Sequence, residues 1–482
     1  MSETHRNYVD GAWTESETGE TYEVRNPADT TEVVGEYQRS SVVDAEEAVA
    51  AAAAAADEWA STPGPARGRV LREAAKRMDD RSEEMVETLD REEGKTRTEA
   101  GEVGRSVDIF YYYAEKARDI GGVVKGASVT DQELYTLKEP LGVAGLVTPW
   151  NYPSAIPAWK IAPALATGNT VVINPATIEP GPAREIVECL DEAGLPDGVL
   201  NLVTGPGSTV GDTFTTHEDV DVVSFTGSAP VGEMVYEAAT EDQKRVQCEM
   251  GGKNPTVVSD AADLDRAVEV VGAGGFGVTG QACTACSRAI VYEDVHDEFV
   301  DRLVEYAESL EVGHGLEDPD MGPHVSESEL EGTLDFVEVG RKEGATVACG
   351  GEAPTGDEYE NGYFVEPTVF TGVERDMRIF QEEIFGPVIG VTSVSGFEEA
   401  VEAANDVQYG LSASIVTRDH AEANRFIRES ESGITKVNEK TTGVELHVPF
   451  GGYKRSSTNT YREQGDAAID FYTSTKTVYD NY

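Results

Sequence analysis

Residues 143–174 read VAGLVTPWNYPSAIPAWKIAPALATGNTVVIN, and this stretch decides the fold. Val143 to Val147 is a short apolar run, Thr170 to Ile173 is β-branched, and Ala158 to Ala166 between them carries helix formers with apolar spacing of about 3.6. Strand, helix, strand within some thirty residues is a βαβ unit, whose two strands run parallel. The rhythm continues downstream through a helical stretch at Ala183 to Ala193 and strand candidates at Val199 to Val203 and Val222 to Phe225. Upstream, Asp44 to Ala60, Arg67 to Glu93 and Gly101 to Ala117 all read as helix; the alanine run in the first is an ordinary helical stretch. A second α/β set follows Glu249, with strand candidates Ala289 to Tyr292 and Tyr363 to Phe370 and helices at His296 to Leu310 and Phe397 to Ala404. The expected class is α/β, with mostly parallel sheets covered on both faces.

A chain of 482 residues exceeds what one core usually serves, so at least two domains are expected. Ninety Asp plus Glu against 38 Lys plus Arg give a formal charge of -52, a field that repels nucleic acid and anionic membrane. The excess is spread along the chain, which reads as a surface adapted to a salt-rich cytosol, where a Debye length of about 3 Å at molar salt damps self-repulsion. No apolar run is long enough to span a bilayer and the start, MSETHRNYVDG, lacks the features of a secretion signal, so a cytoplasmic location is expected. Five cysteines are an odd count that argues against a disulfide framework. Cys283 and Cys286 form a CxxC with no second pair and no His pair beside it, so no metal is expected.

Chemistry concentrates in four places. Phe276-GVTGQA-Cys283-TACS-Arg288 sets a thiol among small residues that let a substrate approach, as a nucleophile requires, whereas Cys189, Cys248 and Cys349 read as buried and inert. Cys286 is either a bystander or a redox partner of Cys283. Attack on a carbonyl creates an oxyanion, and Asn151, emerging after the strand Val143 to Val147, is a candidate amide donor or else a loop residue in an Asx turn. Glu249, before the turn Met-Gly-Gly-Lys-Asn-Pro255, is a candidate base or a solvated surface carboxylate. Two glycine-bearing turns after strands could cradle phosphate: Gly205-Pro-Gly207-Ser-Thr-Val-Gly211, which is not a GxGxxG spacing, and Thr226-Gly227-Ser228, which leads into a helix.

In order along the chain, TPWNYP, AWKIAPALATGN, FTGS, EMGGKNP, GQAC, EEIFGPV and HVPFGG resemble the aldehyde dehydrogenase superfamily, from Asn26-Pro27 to Lys476-Thr-Val. The resemblance implies Cys283 as nucleophile, Asn151 with the Cys283 backbone N–H as oxyanion hole and Glu249 as general base that also faces the cofactor. It places Lys160 near the cofactor ribose and in the catalytic set, Gly227 and Ser228 at the pyrophosphate, Glu383 and Phe385 at the nicotinamide, and Trp150 on the cleft wall. Glu463 matches a second glutamate sometimes assigned to proton relay. A base at Glu249 speaks against the branch that passes its acyl group to coenzyme A.

Where the family commonly reads Lys-Pro-Ser/Ala-Glu, this chain has Asn174-Pro-Ala-Thr177. Without a carboxylate at Thr177 a 2'-phosphate is not repelled, so NADP is expected first and NAD second. The segments Asn151 to Pro157, Thr442 to Ser457 and Tyr461 to Gly465 resemble 2-oxoglutarate semialdehyde (2,5-dioxopentanoate) dehydrogenases of pentose and sugar-acid breakdown, in a halophilic type. The alternative substrate is succinate semialdehyde, or a broad range of aldehydes; a non-catalytic homologue would lack the nucleophile or the base. An anionic substrate needs a cation, for which Arg105 and Arg455 are candidates if neither is simply a salt-bridge partner.

By resemblance the architecture is a Rossmann-type cofactor domain (1–121 and 141–250), an α/β catalytic domain (251–458) and a β-ribbon oligomerisation element (122–140 and 459–482). Val123 to Lys138 and Phe471 to Tyr479 read as extended, as strands shared between subunits would. A homodimer or homotetramer acting on a small aldehyde is the implied assembly.

Overall fold

The structure, a computed structural model, describes residues 3–481, so the outermost expected domain bounds, residues 1 and 482, lie outside it. Two seven-stranded sheets organise the chain, the first built from strands between residues 7 and 249 and the second from strands between 254 and 437. In the first, Arg245–Glu249, Val222–Thr226, Val143–Val147, Thr170–Asn174 and Leu200–Leu202 lie side by side and parallel. Asn7–Val9 and Ala12–Thr14 extend its edge antiparallel. The register sets Val147 opposite both Asn174 and Phe225, and Thr226 opposite Glu249, so four strands end together. That shared edge is where open parallel sheets place ligands.

The central strands are buried on both faces, which explains their unbroken apolar runs: every residue of Val222–Thr226 and Thr170–Asn174 is buried. The expected strands and helices of this half are present, with ends shifted by a few residues. Arg67 to Glu93 is two helices, Gly64–Asp80 and Ser82–Glu93, broken at Arg81. Ser41 starts the alanine-rich helix Val42–Ser61 with a capping box closed by Asp44.

In the second sheet Tyr363 to Phe370 forms strand only over Thr368–Thr371; Pro367, just before it, has no N–H to give a ladder. Strands Asn254–Val258, Val388–Val394 and Ser412–Val416 escape the sequence reading, their apolar runs being too short to tell from buried helix.

The ribbon is a three-stranded antiparallel sheet in which Gln132–Pro140 is flanked by Thr473–Asn481 and Val124–Lys125. The tail before it differs from expectation: Phe471 ends the helix Gly465–Phe471 and is buried with Tyr472 in the core of the first half, because an aromatic pair gains more from burial there than on an exposed ribbon. Among the described residues no helix is long and apolar enough to cross a membrane, and no group of three or more His, Cys, Asp or Glu is placed to hold a metal ion. All five cysteines are free.

The charge of -52 carries a prediction. Thermal unfolding in molar potassium chloride should have a midpoint about 10 °C or more above that in dilute buffer, since salt screens repulsion between surface carboxylates. Equal midpoints at both salt concentrations would remove the halophilic reading.

Candidate active site

The polypeptide before Cys283 is held in an unusual conformation. Val278 and Thr279 both have left-handed backbone, with φ of 53° and 52°, and Gly280 follows at 66°. Each β-branched residue there costs about 1–3 kcal/mol, offset by fixed partners: Glu99 accepts from the Val278 N–H at 2.5 Å, and the Thr279 hydroxyl donates to the Gly322 carbonyl at 3.0 Å. Only glycine fits at 280, where a Cβ would stand 2.2 Å from the Gly386 carbonyl oxygen. Gln281 is buried, its Oε1 accepting from the Val325 N–H at 3.0 Å and meeting His324 Nδ1 at 3.0 Å. Asn254 then donates to the carbonyls of Cys283 and Ala285, both at 2.9 Å. Cys283 is therefore clamped from both sides in a half-buried position, facing a cavity of about 290 Å³. Cys286 points away: it is buried, and its thiol donates to Thr256 Oγ1 at 3.2 Å. Bystander is the reading its geometry favours.

The same cavity is walled by Asn151, Trp150, Thr226, Gly227, Ser228, Glu383 and Phe385. Asn151 is buried in the loop after Val143–Val147, and that loop rests on a network the sequence reading missed. Lys95 Nζ donates to the Asn151 carbonyl at 2.5 Å and pairs with Glu102 at 2.6 Å, and its ammonium lies 4.3 Å from the Tyr152 ring centroid. Burial works against the Lys95 charge, but Glu102 and Glu93 outweigh it and hold the amine above the ordinary lysine value. The other Glu102 oxygen accepts from the N–H groups of Ser154 and Ala155 at 2.9 and 3.1 Å. A buried charge with all its partners in place fixes the loop carrying Asn151. Gly94-Lys95-Thr96 was legible as a motif only through its neighbours in space.

Glu383 accepts from the Gly252 N–H at 2.9 Å, and burial pushes its carboxyl up to about 7. Phe385, left-handed at φ 61°, sets its ring edge-on to Trp150, with centroids 5.3 Å apart and planes at 83°. Burial, and then the carboxylates of Glu383, Glu249 and Glu463, push the Cys283 thiol up.

Two expectations need correction. Lys160 does not border the cofactor cleft: its amine is buried, donating to Ser224 Oγ at 2.7 Å and ion-paired with Glu463. It sits in the middle of a helix whose every residue is buried, and Glu463 is the carboxylate packed against it. Glu249 does not border the cleft either. Its carboxylate accepts from Ser457 Oγ at 3.1 Å and the Gly452 N–H at 3.3 Å, partners from the C-terminal part of the chain. Burial and the nearby Glu463 raise its carboxyl well above the ordinary value.

Through Trp150 the first cavity continues into a larger one of about 860 Å³, lined by Val147, Asn174, Thr177, Gly207, Gly211, Phe225, Val231 and Met234 among others. Val231 and Met234 are 41% and 60% exposed, apolar side chains left open on the wall as a planar ring would need. Ser228 stands at the N-cap of Ala229–Glu241 without a side-chain capping bond, which leaves the first-turn N–H groups of Ala229 and Val231 uncapped by it and open to phosphate; Pro230 between them has none. These features fit a dinucleotide. Asn174 contributes as a prop: its amide donates to the carbonyls of Val203 and Gly205 at 3.0 and 3.2 Å, holding the glycine loop in place.

The sequence pattern of the aldehyde dehydrogenase family matches residues 13–478. The chain is 62% identical to alpha-ketoglutarate semialdehyde dehydrogenase of Haloferax volcanii, with all of both chains covered. It is 44% identical to 2,5-dioxopentanoate dehydrogenase of Saccharolobus solfataricus, over 96% of this chain and 97% of that one. Among solved structures, betaine aldehyde dehydrogenase of Staphylococcus aureus in complex with NAD+ superposes with a TM-score of 0.96 at 35% identity, covering 99% of this chain and 94% of that one. A free thiol on a clamped loop, an amide opposite it and a dinucleotide-sized cleft thus coincide with a pattern running almost end to end, and the chain belongs to the aldehyde dehydrogenase family.

Proposed function

We propose that this protein oxidises 2-oxoglutarate semialdehyde (2,5-dioxopentanoate) to 2-oxoglutarate with a nicotinamide dinucleotide. The observation that carries the chemistry is the meeting of Cys283, Asn151, Glu383 and Phe385 around one cavity that opens into the larger cleft. The substrate comes from the relatives, two of which bear names for this aldehyde at 62% and 44% identity.

The Cys283 thiolate attacks the aldehyde carbon, forming a C–S bond while the carbonyl electron pair moves onto oxygen. The Asn151 side-chain amide and the Cys283 backbone N–H hold that oxyanion, and Lys95, through the Asn151 carbonyl, keeps the amide in place. A bound nicotinamide dinucleotide, its ring end held by Glu383 and Phe385 and its pyrophosphate by Gly227 and Ser228, would supply the acceptor for the hydride of the former aldehyde carbon. A thioester is left on Cys283. Glu249 takes a proton from water as that water attacks the thioester; the C–S bond breaks and the carboxylate leaves. To do so Glu249 exchanges its bonds to Ser457 and Gly452 for one to the attacking water, a side-chain rotation at the strand end. Lys160 and Glu463, behind it, are placed to carry the proton onward.

NADP is the cofactor we assign first. Thr177 on the cleft wall offers no carboxylate to a 2'-phosphate, and a neighbouring cavity sharing Thr177 and Gly207 is lined by Arg39, which has no ion pair among the described residues. Restoring the carboxylate with Thr177→Glu should raise the KM for NADP at least about 10-fold and lower that for NAD. An unchanged ratio of kcat/KM between the two would remove Thr177 from cofactor choice.

The cofactor-binding domain comprises residues up to 121 and 141–250, and the catalytic domain 251–458. The ribbon of 124–125, 132–140 and 473–481 joins copies into a homodimer or homotetramer, which its open apolar side chains support: Val124 is 81% and Tyr479 67% exposed. The overall test is a nicotinamide reduction assay in molar salt with 2-oxoglutarate semialdehyde, succinate semialdehyde and a neutral aldehyde. A kcat/KM lead for the first is expected; a lead for another keeps the chemistry and changes the substrate.

A further inference from the structure

The substrate proposed above is an anion, and none of the residues assigned so far binds its carboxylate. Of the cations near the site, most are committed. Lys95 is taken by Glu102 and the Asn151 carbonyl, Lys160 by Glu463 and Ser224, and Arg462 by the Gly452 carbonyl. Arg455 is removed as a candidate, because its guanidinium spans both Glu233 oxygens at 2.6 and 2.8 Å and Gln408 at 2.6 Å on the surface.

Arg105 is different. It lies on the helix Glu102–Lys116, between two residues that grip the segment following Asn151: Glu102 accepts from the N–H groups of Ser154 and Ala155, and Ser106 Oγ meets Ser154 Oγ at 2.8 Å. Glu102, three residues before Arg105, shares its helix face, so Arg105 is on the side on which Glu102 holds this segment. Tyr152, which follows Asn151 and lies under the Lys95 ammonium, is near both the Arg105 guanidinium and the Cys283 thiol. Arg105 forms no ion pair within 4.0 Å among the described residues, and its Nη2 is buried without a hydrogen-bond partner. Glu445 and Asp108, the carboxylates facing it besides Glu102, are both exposed. A second donor in this region, the indole Nε1 of the buried Trp159, also lacks a partner. A buried donor without a partner is costly, more so when charged, and two such donors in one region are what an arriving anionic ligand would satisfy.

We infer that Arg105 binds the carboxylate of the substrate, beside the segment that follows Asn151, with the Trp159 indole donating to the adjacent oxygen. This assignment rests on the proposed 2-oxo acid substrate and makes Arg105 a specificity residue: it acts on the far end of the molecule and touches no reacting atom. A neutral aldehyde gains nothing from it.

The test compares wild type, Arg105→Gln and Arg105→Lys with 2-oxoglutarate semialdehyde, succinate semialdehyde and pentanal, alongside NADP affinity and thermal stability. For Arg105→Gln, kcat/KM for 2-oxoglutarate semialdehyde should fall about 100-fold, mostly through KM, with pentanal and NADP binding unchanged; Arg105→Lys should recover part of the loss. If wild type turns over the 2-oxo acid but Arg105→Gln loses nothing, or loses pentanal turnover equally, the assignment is overturned and the proposed function stands. If wild type favours succinate semialdehyde and Arg105→Gln loses that selectively, Arg105 stands and the substrate is revised. A wild type that favours pentanal overturns both.

Discussion

Cys283→Ala is expected to abolish aldehyde oxidation, with kcat falling by at least about 10⁴-fold, while the protein binds its cofactor as wild type does. The loss follows from the loop around Cys283. Left-handed Val278 and Thr279, the Gly280 contact and the Asn254 clamp serve to place one thiol, and no other cysteine shares its cavity. Cys286, three residues on, cannot substitute, because its thiol is buried against Thr256. Burial and three nearby carboxylates favour the protonated thiol in the protein alone, so alkylation of Cys283 should be slow without cofactor and faster once the positive nicotinamide ring is present. The measurement is steady-state turnover together with cofactor titration by fluorescence. Residual oxidation within tenfold of wild type would remove Cys283 as nucleophile.

Glu249→Gln should give a different failure. The first turnover proceeds, releasing one equivalent of reduced cofactor per active site, and then stalls, with steady-state kcat down about 10²–10⁴-fold because the thioester is no longer hydrolysed. The acyl group should be detectable on Cys283 by mass spectrometry. The pH dependence has a definite sign. A base works deprotonated, and burial with Glu463 raises the Glu249 carboxyl, so deacylation should slow as pH falls through that raised value, above the ordinary carboxylate range. In Glu249→Gln that acidic limb should vanish. A variant that loses the first-turnover burst as well would show that Glu249 acts before hydrolysis.

The two corrected residues show how far sequence reaches. Lys160 lies in AWKIAPALATGN, and the family resemblance of that block put it near the cofactor ribose. Its helix, however, buries every residue from Ala155 to Thr167, so an ammonium in the middle of it meets whatever carboxylate packs there. That carboxylate is Glu463, 303 positions away. Nothing local to either residue predicts the pair. Glu249 was found by its motif, but its direction was not, since Ser457 and Gly452 arrive from the opposite end of the chain.

By itself the sequence determined the α/β class, four of the seven strands of the first sheet, and Cys283, Asn151 and Glu249 as residues of interest, while Glu383 and Phe385 came only through the family resemblance. The strands and the three candidates read from the residues were legible because they depend on local physics: apolar periodicity, β-branched runs, and turns that need glycine. The tertiary structure alone decided that Lys95 and Glu102 fix the Asn151 loop, that Lys160 pairs with Glu463, that Arg455 is spent on Glu233, and that Arg105 keeps a buried donor free. Each of these turns on which charge meets which inside a low-dielectric interior. That outcome depends on burial and on partners distant in sequence, so it exists only once the chain has folded.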